Sequence, residues 1–119
     1  MTNYKRGDIV LVLFPNSDLQ TFKKRPALVV QADNLQTNLP QVIVALITSN
    51  MLRANHKSRI TILLNSPEGK QSGLQNDSVI VTDNLATVRE KFIDKVIGNL
   101  PTMNAIESAL AHTFGLKLA

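Results

Sequence analysis

At 119 residues, with 44% apolar and 18% charged side chains, the chain can bury the core of one domain, 1–119, and does not have the composition of a disordered segment. It contains no cysteine, which excludes disulfides and cysteine-ligated metal sites and suits a reducing compartment. The formal charge of +4 is uneven: residues 1–60 hold eight basic and three acidic residues, residues 61–119 five basic and six acidic, so the first half fits a polyanionic partner.

The first eight residues carry no apolar stretch resembling a secretion signal. The longest apolar runs, such as residues 9–14, are too short to span a bilayer. The expectation is a cytoplasmic protein with no membrane segment.

The elements follow in chain order. Residues 8–14 are rich in Ile, Val and Leu and read as a strand that ends at Pro15. Pro15, Asn16, Ser17 and Asp18 form a turn by chemistry, since Pro fixes φ and the polar side chains bond back to the backbone. Residues 27–30 read as a second strand, with Pro26 at its start. Residues 41–48 make a third. Residues 58–64 alternate, with Ile60, Ile62 and Leu64 set against Arg59, Thr61 and Leu63, as in a half-exposed strand. Residues 78–81 are a fifth strand and 95–100 a sixth, with a bend or bulge expected at Gly98.

A short charged helix is predicted over 87–94. A longer C-terminal helix carries Met103, Ile106, Leu110 and Phe114 on one face, with Thr102 as its cap and Gly115 as its stop. Many short strands followed by one helix predict a mainly β fold, a small antiparallel barrel or rolled sheet.

Three segments then combine: Arg6-Gly7-Asp8-Ile9-Val10-Leu11-Val12 with Phe14-Pro15-Asn16-Ser17-Asp18; Lys24-Arg25-Pro26-Ala27-Leu28-Val29-Val30; and Ala45-Leu46-Ile47-Thr48-Ser49. In this order the chain resembles the MazF/PemK family of toxin endoribonucleases. The likeness continues through Gln75-Asn76-Asp77-Ser78-Val79-Ile80, Asp83-Asn84-Leu85 and Ile97-Gly98-Asn99-Leu100, and so covers nearly the whole chain. It implies an SH3-like barrel with a C-terminal helix and one or two short helices, paired as a homodimer. It implies sequence-selective cleavage of single-stranded RNA with no metal or cofactor. It also implies a cognate antitoxin whose acidic, flexible tail covers the RNA groove. A non-catalytic SH3-like module binding RNA or a peptide, or a degenerate relative retaining only antitoxin binding, are the competing readings.

Metal-free RNA cleavage uses the neighbouring 2′-hydroxyl as nucleophile. It needs a group that takes the 2′-proton, a group that protonates the leaving 5′-oxygen, and donors for the phosphorane's extra charge. Arg25 is the first candidate, because guanidinium pairs bidentately with phosphate and stays charged at any working pH. By resemblance, Thr48 is the catalytic Thr, with a hydroxyl that can donate to phosphate or hold Arg25, and Ser49 can share that role. Asp83 matches a position where many relatives carry an acid; it could take the 2′-proton or orient Arg25. Some relatives place an Arg two residues earlier, where this chain has Val81, which leaves a second charge-stabilising group unidentified.

Ser17, Asp18, Gln20, Lys23 and Lys24 fall on a segment resembling the family's substrate-facing loop, the lysines for phosphates and the polar residues for bases. Arg53, Lys57 and Arg59 extend the basic track, and Asn84 joins the RNA-binding set. Phe22 is set either to stack on a base or to pack beneath the barrel. His56 reads as a solvent residue and His112 as a surface or dimer-rim residue.

Overall fold

The computed structural model describes residues 4–15 and 18–117. The described residues form six strands and two α-helices: β1 (Asp8–Pro15), β2 (Phe22–Val29), β3 (Gln41–Thr48), β4 (Arg59–Ile62), α1 (Pro67–Ser72), β5 (Ser78–Arg89), β6 (Ile93–Asn99) and α2 (Asn104–Phe114). Short 3₁₀ turns occupy Met51–Arg53 and Glu90–Phe92. All strands join one antiparallel sheet in the order β4-β5-β3-β2-β1-β6. The edge strands β4 and β6 do not pair with each other, so the barrel-like sheet stays open.

The alternation of strand side chains gives the sheet two buried faces. Ile9, Leu28, Ala45, Ile47, Ile62 and Ile80 lie on one face and are covered by Ile106 of α2. Val10, Val12, Ala27, Val29, Val42, Val44 and Val88 lie on the other, where Tyr4, Phe14, Phe92 and Ile93 pack against them. Burying both faces requires the sheet to curl, and breaks in register provide the bends. The sharpest is in β5: Val81 faces Leu46 and Leu85 faces Ala45, so Thr82, Asp83 and Asn84 have no partners on β3. Thr82 fixes this bulge. It is fully buried, its N–H and its Oγ1 both donate to the Ser58 carbonyl (3.0 and 2.6 Å), and its Oγ1 lies 3.0 Å from Thr113 Oγ1 on α2.

Several expectations change. Residues 87–94 are not an α-helix: β5 runs to Arg89, a 3₁₀ turn takes Glu90–Phe92 and β6 starts at Ile93, because Val42 to Val44 of β3 claim Ala86 to Val88 as ladder partners. β2 begins at Phe22 rather than Ala27, so Lys23, Lys24 and Arg25 lie on a strand and not in a loop. The C-terminal helix is present, but Met103 is its N-cap position and makes no side-chain cap bond, and Thr102 does not cap it. Gly115 ends it in the left-handed region (φ 67°) as expected. Of the apolar stripe, Ile106 is buried while Phe114 is 58% exposed.

Helix α1 was not expected. Ser66 caps it by accepting from the Gly69 N–H (3.0 Å), Pro67 stands at its first turn and Gly73 closes it with φ 74°. It lies against β6, where a Cβ at Gly98 would collide with the Ser72 backbone. The register also shifts beside Gly98, between the Ile9 and Val10 rungs, as the bulge expected there requires. The turn expected at Pro15–Asp18 falls partly outside the described residues, and so does Ser17.

Candidate functional site

The strand register assembles the site. In antiparallel pairs, residues directly opposite share a face. Arg25 faces Val12, Leu46 faces both Ala27 and Val81, and Arg59 faces Val81. Positions two apart on a strand share a face, so Arg25 and Ala27 on β2, Leu46 and Thr48 on β3, Val81 on β5 and Arg59 on β4 all lie on one side. The β2–β3 ladder is recorded from Ala27 to Val29, paired with Leu46 to Val44. Pro26 has no N–H to donate, so the rungs stop beside it and the two strand ends flank a gap.

Two clefts open on this gap. One, of about 620 Å³, is lined by Lys23, Lys24, Arg25, Thr48, Ser49 and Lys95, with the Gly73–Asn76 segment at its rim. The other, of about 390 Å³, is lined by Arg25, Thr48, Arg53, Arg59, Asp83 and Asn84. Arg25 and Thr48 belong to both and form the ridge between them. Among the described residues, the Arg25 guanidinium has neither a hydrogen bond nor an ion pair, and it is exposed. The Thr48 hydroxyl oxygen accepts from the Asn50 N–H (3.1 Å), which leaves its own hydrogen free to donate.

Asp83 does not touch Arg25. Its carboxylate takes a two-pronged pair from Arg59, Nε to Oδ1 at 3.2 Å and Nη2 to Oδ2 at 2.8 Å. This pairing holds the Asp83 carboxyl below its usual range. A carboxylate so stabilised is a weak proton acceptor, and it holds Arg59, which also donates from Nη1 to the Arg53 carbonyl (3.3 Å). Sequence reasoning put Arg59 only on a general basic track. The signal was its strand alternation: Arg59 is the polar position that pairs with Val81, beside which the missing second cation was noted.

The other candidates divide. Lys23, Lys24 and Ser49 line the first cleft, and Arg53 and Asn84 line the second. Lys24 is also paired with Asp94 across β1 (3.2 Å). Asp18 is committed to its own loop, accepting from the Gln20 and Thr21 N–H groups (2.9 and 3.0 Å), which lower its pKa. Gln20 is exposed in that loop and lines neither cleft. Phe22 is 52% exposed, stacks on Phe92 (ring centroids 6.3 Å apart) and lines neither cleft. His56 is exposed, accepts from the Ser58 N–H at Nδ1 (3.0 Å) and meets the ring of His112 edge-on. Among the described residues no three His, Asp or Glu side chains converge in a way that could hold a metal, and no helix is long and apolar enough to cross a membrane.

The fold that carries this site, a curled antiparallel sheet of six strands with two helices, recurs in solved toxin structures. The Mycobacterium tuberculosis toxin MazF-mt6 shares it at 23% identity, with 93% of this chain and 99% of that one covered and a TM-score of 0.73. So does an endoribonuclease solved in complex with its cognate antitoxin from a mycobacterial species (19% identity, 98% and 99% covered, TM-score 0.73). A chain of the MazE–MazF crystal structure from Deinococcus radiodurans matches at 14% identity, with 98% and 100% covered and a TM-score of 0.71. At these identities the likeness concerns the fold. The family of PemK-like, MazF-like toxins of type II toxin-antitoxin systems matches residues 5–114, and the chain belongs to it.

Proposed function

We propose that this protein is a sequence-selective endoribonuclease toxin that cuts single-stranded RNA by attack of a 2′-hydroxyl on the adjacent phosphate. The observation that carries the reading is the convergence of an unpaired, exposed arginine and a donating hydroxyl, Arg25 and Thr48, on the ridge between two clefts.

In this reading the scissile phosphate sits on the ridge. As the 2′-oxygen attacks, charge builds on the non-bridging oxygens. Arg25 meets it with two parallel N–H donors and Thr48 with its O–H, and both are preset by strand backbone. The proton of the 2′-oxygen passes to solvent water, and water supplies the proton that the departing 5′-oxygen gains, so the products are a cyclic phosphate and a free 5′-hydroxyl. Arg25 serves as a charge stabiliser, since a guanidinium does not give up its proton at working pH. Asp83 acts through Arg59. DNA lacks the nucleophile and is not cut. Lys23, Lys24 and Lys95 carry the flanking phosphates along the first cleft. A cognate antitoxin with an acidic segment competes for these same cations, and the active form is a homodimer held in the cytoplasm.

The test is incubation with mixed RNA in the presence of a chelator, followed by sequencing of the new 5′ ends. The expected result is a short recurrent motif at the cuts and none with Arg25→Ala. Intact RNA across many sequences at high enzyme concentration refutes the proposal.

A further inference from the structure

The two clefts differ in charge. The first is lined by Lys23, Lys24, Arg25 and Lys95; Lys24 is paired with Asp94, which lies outside the lining, and the surplus of cations suits a phosphate track. The second holds Arg25, Arg53 and Arg59, and there the charge of Arg59 is offset by the Asp83 carboxylate on the same wall. What the second cleft offers instead is a fixed pattern of donors and acceptors.

The pattern can be counted. A guanidinium has five N–H donors. Arg59 gives one from Nε and one from Nη2 to Asp83, and one from Nη1 to the Arg53 carbonyl. Two remain, one on each terminal nitrogen, and they make a parallel fork when the Arg53 carbonyl takes the Nη1 hydrogen on the Cδ side. The charge of Arg59 is offset by Asp83, so what is left is a neutralised, immobilised pair of donors suited to an uncharged acceptor edge. Guanine has two adjacent acceptors, O6 and N7, and an arginine fork is their usual partner. Adenine has N7 but sets an amino group where O6 would be, placing donor against donor. Pyrimidines lack N7. An unpaired base in single-stranded RNA is free to present that edge.

On the reading of this site as an RNA cleft, we propose that the second cleft is a nucleobase subsite in which Arg59, held by Asp83, reads the O6/N7 edge of a guanine flanking the bond at Arg25 and Thr48. Arg59 is thus a specificity-determining residue, and Asp83 is its positioning residue.

The experiment measures binding separately from cutting. Short 2′-fluoro strands cannot be cleaved by 2′-hydroxyl attack. An all-uridine strand is compared with strands carrying one guanine, one 7-deazaguanine or one adenine, by fluorescence anisotropy on the full-length protein. The guanine strand is expected to bind about tenfold more tightly than the 7-deazaguanine and adenine strands. With Arg59→Lys, which keeps a cation and loses the fork, the affinities are expected to converge. Asp83→Asn, which loosens the fork without removing it, narrows the gap. Equal binding of the strands by the unaltered protein, or a guanine preference that survives in both variants, overturns the proposal. Cleavage of ordinary RNA is followed in parallel. A guanine preference without cutting refutes the ribonuclease reading alone; cutting without a guanine preference refutes this one alone.

Discussion

Arg25 and Thr48 should fail differently when altered, because one supplies a charged fork and the other a single donor. Arg25→Lys keeps the charge and loses the two parallel bonds, and is expected to lower kcat by about 10²-fold or more, as loss of a preset donor does elsewhere. Thr48→Val removes the O–H while keeping the branched shape and is expected to lower kcat similarly, whereas Thr48→Ser retains most activity; single-turnover cleavage of a defined oligonucleotide separates these cases. Asp83 yields a pH prediction. Its carboxyl is held below its ordinary value by Arg59. The pair therefore stabilises the folded protein above the unfolded carboxylate range, and that contribution is lost as pH falls through the lowered value. The melting difference between the parent and Asp83→Asn should be constant at neutral pH and shrink only in acid. A difference that changes between pH 6 and pH 8 would assign the effect to another group.

At the level of elements, the docking of α1 on β6 rests on a missing side chain. A Cβ at Gly98 meets the Ser72 backbone, which cannot swing aside as a long side chain can. Gly98→Ala is expected to cost about 1–3 kcal/mol, read from the urea midpoint, and to disturb the Gly73–Asn76 rim of the first cleft. The strands were readable in the sequence as short runs rich in Ile, Val and Leu, with alternation only at residues 58–64, and so was the Gly98 bulge. Lys23, Lys24 and Arg25 were not readable as strand, since they are exposed and leave no hydrophobic pattern. Residues 87–94 were misread because their charges suit a helix, while β3 pairing overrides that local preference. Helix α1 did leave a signal, Ser66-Pro67-Glu68 with Gly73 behind it, in a stretch short enough to pass for loop. That Arg25 and Thr48 lie together was legible from the ordered motifs. The Arg59–Asp83 pair was not, because 24 positions separate the two and only the β4–β5 register and the β5 bulge unite them.

Across the whole molecule, Lys23, Lys24, Arg25, Arg53 and Arg59 of the basic half gather at the two clefts, while Lys5 and Arg6 lie elsewhere. RNA binding should weaken steeply with salt, and Lys23→Ala should reduce the slope of log K against log salt by about 0.7, the value for one phosphate contact on a single strand. A titration series at several salt concentrations checks this, and an unchanged slope removes Lys23 from the track. The β5 bulge has a broader consequence. Thr82 is locked into the interior by Ser58 and Thr113, while the next two residues, Asp83 and Asn84, hang over the cleft with no ladder partner to satisfy. On the proposed reading of the second cleft, those two letters can be rewritten, and with them the choice of RNA, while the framework beneath stays as it is.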